Sequence, residues 1–508
     1  MKYNPCSKYD YNIERSSMIR LRFAPSPTGF VHVGNARTAL FNYLHARRKQ
    51  GALILRIEDT DVERSKREYE ENLIHDMKWL GIEWDEGPDK GGQFAPYRQS
   101  ERLEIYKKYA DQLIDFGNAY YCFCSAEDLQ KEKENAPDKD SAAGYSGKCR
   151  NLDIQESKKR IANGEEAAIR LKIPRDKTIE FFDLVREKVT FDSNLLSDPV
   201  ILRSSGMPAY NYSVVIDDFL MQVTMVIRGE DHISNTARQL VLYDALSFER
   251  PQFGHLSMVM GEDNTKLSKR HGSTSLIQFR EEGYLPEALF NYLALLGWSP
   301  GGNTDVILTR DKLIELFNIK KVSKSPAIFD YQKLKWMNRE HIRRLDDNQL
   351  GERILPFLEK EQFQVKLNSE SIQWIGKAAR VLSNYNYLLS EIARDFVQFT
   401  TLDISTESLE HLHSSESAIK VLSLLREELT KTTAPVPFSF ILEVTKKIQE
   451  LYGIKGKELY HPIRLALTGK ESGIELKDFI PLIETGALLE IQPAVLPMIP
   501  RLHKFFGN

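Results

Sequence analysis

Ile19-Arg20-Leu21-Arg22-Phe23-Ala24-Pro25-Ser26-Pro27-Thr28-Gly29-Phe30-Val31-His32-Val33-Gly34-Asn35 is the stretch that decides the fold. Residues 19–23 alternate apolar and basic side chains, which is the period of a strand. Pro25, Pro27 and Gly29 break that strand into a tight loop. Beyond the loop, Ala36, Leu40, Tyr43, Leu44 and Arg47 recur at helical spacing, and Gly51 reads as the stop. His32-Val33-Gly34-Asn35 therefore sits where a strand gives way to a helix. Free N–H groups and the helix dipole attract phosphate oxygens there. His32 can donate to those oxygens, and Gly34 lets a nucleotide approach the backbone. Taken alone, the tetrapeptide reads more simply as a buried histidine beside a turn glycine.

A second basic motif changes that reading. Gly254-His255-Leu256-Ser257-Met258-Val259-Met260 is an apolar run that reads as one buried strand. Gly261-Glu262-Asp263-Asn264 is a turn. Lys266-Leu267-Ser268-Lys269-Arg270 follows in a polar loop that ends at Gly272. Loss of pyrophosphate builds negative charge on oxygen. Cations on a flexible loop meet that charge more strongly in the transition state than in the ground state. A lone basic pentapeptide is most simply a solvated charge run. The two motifs together, in this order, point to adenylyl transfer from ATP.

At these residues the chain resembles the class I aminoacyl-tRNA synthetases, whose signatures are His-Ile-Gly-His and Lys-Met-Ser-Lys-Ser. Further segments narrow the resemblance: Arg22 to Gly29, Arg56-Ile57-Glu58-Asp59-Thr60-Asp61, Glu86-Gly87-Pro88, Tyr97-Arg98-Gln99-Ser100, Val226-Ile227-Arg228-Gly229-Glu230-Asp231-His232 and Lys266 to Gly272. As a set they are similar to the bacterial glutamyl-tRNA synthetases, densely over residues 19–340 and thinly to the C-terminus. The resemblance implies a glutamate–tRNA ligase with ATP, L-glutamate and tRNA-Glu as substrates, and Mg2+ to balance phosphate charge. It implies that tRNA binds before glutamate is activated, and that no covalent enzyme intermediate forms.

It also assigns residues. Catalytic roles fall to His32, Gly34, Asn35, Lys266 and Lys269. ATP contacts fall to His32, Gly34, Asp231, Lys266, Ser268, Lys269 and Arg270. The glutamate site takes Arg22, Ala24, Ser26, Glu58, Tyr210 and Arg228. A side-chain carboxylate pairs best with a bidentate Arg, and Arg22 with Tyr210 would supply that contact. Arg228 would take the α-carboxylate, and Glu58 and Ser26 the α-ammonium. Some family members have an Asn where this chain has Val214, which removes a polar contact. Taken singly, Glu58 and Arg228 read as structural ion pairs and Tyr210 as core.

The chain has 508 residues, enough for about three to four domains. Hydrophobic residues at 42% and charged residues at 28% are ordinary for a soluble globular chain. Lys and Arg number 69 against 72 Asp and Glu, so RNA contacts must use local patches. No stretch approaches the roughly 18 apolar residues of a membrane span. There is no apolar signal core, and four cysteines fit a reducing compartment, so a cytoplasmic location is expected. A monomer is expected.

The fold expected is an α/β Rossmann-like catalytic domain with an inserted acceptor-binding module, followed by an all-α anticodon-binding region. Residues 1–18 are read as a tail, 19–101 and 213–275 as the two catalytic halves, and 102–212 as the insertion. Residues 276–345 are read as a stem-contact linker and 346–508 as the helical region. Ser65-Lys66-Arg67-Glu68 reads as a capping box, with Tyr69, Leu73, Met77 and Leu80 on one face before Gly81. Residues 101–116 read as a helix, and Val214-Val215-Ile216 and Met225-Val226-Ile227 as strands. Ile372, Ile375, Ala379, Leu382, Leu388 and Ile392 track one helical face, and Phe438, Leu442, Ile448 and Leu451 another.

Cys122, Cys124 and Cys149 have the spacing of a structural zinc site found in some members of the family. Where a His would help, this chain has Asn151, and Tyr145 is the candidate fourth ligand. Three reduced thiols are the other reading. Three alternative functions compete: a small-molecule nucleotidyltransferase, a silent tRNA-binding module, and a truncated paralogue that glutamylates a modified tRNA base. The helical C-terminal third counts against the first and last, and intact His32, Gly34, Lys266 and Lys269 against the second. Charging of tRNA-Gln with glutamate is the remaining alternative for specificity.

Overall fold

Two short parallel strands start the chain's fold, and the alternating apolar and basic residues of the first are all buried. The computed structural model describes residues 18–61, 63–134, 145–302, 305–433 and 435–506, with Lys133 and Lys269 described by backbone alone. Strand β1 (Arg20–Phe23) pairs in register with β2 (Ala52–Leu55) across helix α1 (Val33–Arg48). All four β1 side chains are buried. The two basic ones survive burial because each has an anionic partner. Arg20 meets Glu86 at 2.8 Å, and Arg22 meets Asp218 at 3.3 Å.

Helix α1 ends at Arg48, before Gly51. The left-handed residue there is Gln50, at φ 52°. Gly51 serves a different purpose from the stop expected of it: a Cβ would stand 2.2 Å from the Ile19 carbonyl oxygen. Helix α2 (Arg67–Leu80) ends at left-handed Gly81, as its sequence indicates. The capping box at Ser65 does not form. Lys66 is the N-cap, and its ammonium has no acceptor to offer the first-turn N–H groups; its own N–H goes to the Pro27 carbonyl.

Helix α3 (Leu103–Asp115) leads to β3 (Ala119–Cys122), helices α4 (Ala126–Glu134) and α5 (Ile154–Ala162), and β4 (Ala168–Leu171). Strands β5 (Thr178–Asp183), β6 (Glu187–Asp192) and β7 (Val200–Leu202) follow. Then come α6 (Tyr210–Leu220), β8 (Met225–Gly229), α7 (Ile233–Ala245), β9 (Gln252–Leu256) and β10 (Val259–Met260). One sheet has the order β6-β5-β9-β8 and another β3-β4-β7. Strand β9 runs parallel to both β8 and β5, and Thr224 N–H bonds the Arg20 carbonyl to bring β1 beside the start of β8.

Two strand expectations fail. Val214-Val215-Ile216 lies inside helix α6 and is wholly buried. A β-branched triplet reads as strand locally, but burial on all sides removes the alternation that distinguishes strand from helix. The run from Gly254 to Met260 is two strands. β9 joins β8, whereas β10 leaves the sheet to pair with β11 (Ala327–Ile328).

The described residues up to Gln278 and Phe290–Asp330 form one unit; Phe279–Leu289 and the described residues from Tyr331 onward form a second. The second unit is helical around one apolar core that includes Leu350, Ile375, Leu425, Ile463 and Phe479. Full burial of such a side chain contributes about 1.5–3 kcal/mol. The helix Phe438–Tyr452 buries Ile441, Val444, Thr445 and Ile448. Leu442 and Leu451, expected on the apolar face, are 49% and 58% exposed. Ile448 and Phe438, in the same expected set, do pack on the core, so the buried face is rotated from the expected one by only part of a turn. Among the described residues no helix is long and apolar enough to cross a membrane.

Candidate active site

His32 is the N-cap of α1, with extended backbone at φ −78° and ψ 149°. Its Nδ1 accepts the Gly34 N–H at 3.2 Å, so the ring proton stands on Nε2. Burial, and then the nearby Lys266 charge, pull the imidazole below its ordinary pKa. The ring is therefore a neutral donor at pH 7, which suits a phosphate oxygen. A Cβ on Gly34 would make only ordinary contact with its own protein, at 3.6 Å from His32 Nδ1. The space that Gly34 keeps open belongs to the cleft it lines.

That cleft has a volume of about 690 Å3. His32, Gly34 and Asn35 line one wall, and Asp231, Lys266 and Ser268 line another. Val33 N–H bonds the Thr274 carbonyl at 2.9 Å, so the loop after β10 is anchored beside the start of α1. Asp263 organises that loop. It accepts from the Thr265 N–H and hydroxyl at 2.9 and 2.7 Å, from His271 at 3.1 Å and from Arg270 at 3.1 Å. The Thr265 hydroxyl and N–H, then His271, hold its carboxyl well below the usual range. Arg270 is exposed and outside the cleft lining. The Lys269 side chain lies outside the described residues.

The remaining expected residues, Arg22, Ala24, Ser26, Glu58, Tyr210 and Arg228, line the same cleft. Behind them is a network that sequence reasoning missed. Arg56, fully buried, reaches Asp218 at 2.7 Å and Glu58 at 3.1 Å. Asp217 lies 3.9 Å from Arg56 and is held by Arg102 at 2.7 Å, by Gln99 and by Tyr106. Burial would raise the Asp218 carboxyl, but Arg22 and Arg56 hold it below the usual range. Burial raises Glu58 against the pull of Arg56 and Arg22. Arg22, Arg56, Arg102 and Arg228 are thus set among Glu58, Asp217 and Asp218, four cations among three anions. One positive charge is in excess, which favours an anionic ligand.

Among the described residues Arg228 has no carboxylate in hydrogen-bond contact. Its Nη2 donates to Thr236 Oγ1 at 2.8 Å and Gln239 Oε1 at 2.7 Å, and its Nε to His255 at 3.2 Å. Its Nη1 is buried without a partner among the described residues. Tyr210 stands 3.1 Å from His232 Nδ1. Burial, then Arg228, push the His232 imidazole down to about 4, so it is neutral at pH 7. Val214 is buried and makes no polar contact here. Arg37, also missed, lines the cleft and ties α1 to the carbonyls of Ser257 and Leu296, each at 2.7 Å.

The Sγ atoms of Cys122, Cys124 and Cys149 lie within 4.8 Å of one another, with Cys124 and Cys149 at 3.6 Å. Sulfurs at about 2.3 Å from one tetrahedral zinc stand roughly 3.8 Å apart, so the spacing fits that ion. The Tyr145 hydroxyl is 3.5 Å from Cys122 Sγ and accepts from the Cys149 N–H at 3.0 Å, which puts it in reach of the fourth position. Asn151 is exposed. Arg170 Nε donates to Cys122 Sγ at 3.3 Å and offsets thiolate charge.

Residues 18–336 match the family model of the tRNA synthetases class I (E and Q), catalytic domain, and residues 349–489 match that of an anticodon binding domain. A glutamate–tRNA ligase of Sulfurihydrogenibium sp. is 49% identical over 467 residues, covering 92% of this chain and 96% of that protein. One from Aquifex aeolicus is 45% identical over 488 residues, covering 96% and 100%. A crystal structure of a glutamate tRNA ligase from Elizabethkingia meningosepticum, in complex with its amino acid, superimposes with TM-score 0.83 at 32% identity. It covers 97% of this chain and 100% of that one.

Proposed function

This chain belongs to the class I tRNA synthetases of the E and Q type, and from that premise we propose a glutamate–tRNA ligase. It makes glutamyl-adenylate from L-glutamate and ATP, and passes the glutamyl group to the 3′ end of tRNA-Glu. Relatives of that name align along nearly the whole chain. The observation that carries the reading is the surplus guanidinium in a cleft that also holds the N-terminus of α1. One end suits a polyphosphate and the other a small dicarboxylate.

In this reading the ATP phosphates lie at the α1 N-terminus, where His32 donates from Nε2 and Gly34 and Asn35 leave room for them. Asp231 and Ser268 make further nucleotide contacts. Arg22 and Tyr210 take the glutamate side-chain carboxylate. Arg228 offers its unpartnered Nη1 to the α-carboxylate, and Glu58, Ser26 and the Ala24 backbone hold the α-ammonium. An α-carboxylate oxygen attacks the α-phosphorus and pyrophosphate leaves. Lys266, Lys269 and Arg270 meet the charge on the leaving group. The terminal ribose hydroxyl of tRNA then attacks the glutamyl carbonyl and AMP departs. Positioning and fixed charge do most of the work. Mg2+, when bound, balances phosphate charge. Zinc, when bound, would be held by Cys122, Cys124, Cys149 and Tyr145 as a structural ion.

Residues 102–212 would take the acceptor end, 276–345 the stem and 346–508 the anticodon, with the protein acting as a cytoplasmic monomer. Aminoacylation of purified tRNA-Glu and tRNA-Gln with labelled glutamate tests the reading. ATP-dependent charging of tRNA-Glu is expected. Failure to charge tRNA-Glu contradicts it, and equal charging of tRNA-Gln would make the enzyme non-discriminating.

A further inference from the structure

A buried relay ends on Arg228 and lies outside the set of residues that touch the cleft's contents. Asp183, at the end of β5, and His255, in β9, are both completely buried. Strands β5 and β9 run parallel, which brings Asp183 and His255 side by side although 72 residues separate them. Asp183 Oδ2 stands 2.7 Å from His255 Nδ1. His255 Nε2 accepts from Arg228 Nε at 3.2 Å.

The proton positions follow from the donors. Arg228 has only N–H groups to offer, so His255 Nε2 must be the acceptor. The ring proton then sits on Nδ1 and is donated to Asp183. Thr236 fits the same pattern: its hydroxyl accepts from Arg228 Nη2, and lies 3.0 Å from His255 Nε2 and 3.2 Å from the His232 carbonyl, either of which can take its proton. Gln239 Oε1 accepts the second Nη2 proton, and its amide is fixed in turn by Asn211 at 3.0 Å. Three of the five guanidinium protons are therefore committed, and Nη1 alone is left without a partner among the described residues. Asp183 is anchored as well: its Oδ1 accepts the N–H groups of Val185 and Arg186 at 2.9 and 2.7 Å.

We infer that Asp183 and His255 are positioning residues for the reaction proposed above: they fix the plane of the Arg228 guanidinium so that Nη1 is presented to the α-carboxylate of the amino acid. This rests on the assignment of Arg228 to that carboxylate. A buried carboxylate placed directly on Arg228 would neutralise it and compete with substrate. A neutral imidazole between them orients the guanidinium and leaves its charge available.

Asp183→Asn tests this positioning role. An Asn keeps Oδ1 for the Val185 and Arg186 N–H groups but replaces Oδ2 with an NH2 donor. His255 Nδ1 must then accept, the ring proton moves to Nε2 and can turn to Thr236 Oγ1, 3.0 Å away, and Arg228 Nε loses its acceptor. The probe is the amino alcohol analogue of glutamate, which keeps the amine and side-chain carboxylate but has a hydroxymethyl group in place of the α-carboxylate. We expect the glutamate KM to rise about tenfold or more in Asp183→Asn. The inhibition constant of the amino alcohol, and the KM for ATP, should stay within about twofold of wild type.

His255→Gln and His255→Leu give an independent arm should Asp183→Asn fail to fold. The Gln carbonyl can still accept from Arg228 Nε, so His255→Gln should keep most glutamate affinity while His255→Leu loses it selectively. Equal losses for glutamate and the amino alcohol, or no loss for either, would overturn the inference. If wild-type enzyme used no glutamate at all, the functional reading itself would fall. Normal wild-type charging beside an unaltered Asp183→Asn enzyme would remove this inference alone.

Discussion

The two units bury charge for opposite purposes. Around the cleft, Arg22, Arg56, Glu58, Asp218 and Arg228 are buried beside one another, and the cations outnumber the anions. In the helical unit the buried charges are solitary and bonded to backbone. Arg501 donates to the carbonyls of Leu496, Leu467, Gln398 and Phe399. Glu484 accepts the N–H groups of Val436 and Met498 at 3.2 and 2.8 Å. Charge that satisfies loose backbone ends holds a fold together. Charge clustered on charge, with the cations in surplus, marks where a ligand completes the balance.

The largest effect is expected from removing a cation from the cleft. Arg22→Ala should cost about 2–5 kcal/mol of kcat/KM for glutamate, because both the ligand and Asp218 lose a buried partner. ATP affinity should survive, and near-normal glutamate kinetics would break the comparison at its strongest point. Lys266→Ala should lower the rate of adenylate formation by about a hundredfold while shifting ATP affinity far less. A single-turnover assay separates the two, and a pure affinity loss would make Lys266 a ground-state binder.

The helical unit should behave in the opposite way. Arg501→Met leaves several buried carbonyls without a donor and should cost about 2–3 kcal/mol of stability. Thermal unfolding should record that loss, with the glutamate KM unchanged at a temperature where the variant is folded. A shifted KM would contradict the purely structural role.

A smaller effect concerns pH. Burial, then Lys49 and Arg48, push the buried His45 imidazole from 6.5 down to about 4. The unfolded chain takes a proton in that window and the folded chain refuses it. The stabilisation is therefore full above about pH 6.5 and shrinks as pH falls toward 4. His45→Gln should remove about 2 kcal/mol of the stability difference between roughly pH 7.5 and 5. Unfolding curves of both proteins at the two pH values check this. Smallest of all, Leu442→Glu should change stability by less than about 0.5 kcal/mol, since Leu442 is half exposed. A large loss would return it to the core that the sequence pattern suggested.

The readable parts of the molecule are the local ones. The His32 cap lies within a few residues of the strand and helix that create it, and the Gly81 stop is equally local. Whatever depended on distant partners was hidden. Asp217 and Asp218 were overlooked because the adjoining Val214-Val215-Ile216 looks like a strand, although all five lie in α6. His255 looks like one residue of an apolar run until β5 brings Asp183 beside it. For Leu442 and Ile441 the helical period allows either face, and only the packing decides.

Exchange of labelled pyrophosphate into ATP, in the presence of tRNA-Glu, tests the central claim most directly. Glutamate and glutamine have nearly the same shape and differ in one charge, so the excess guanidinium should choose between them. The account predicts rapid exchange with glutamate and little with glutamine. Equal exchange with both, or exchange with glutamine alone, would contradict it.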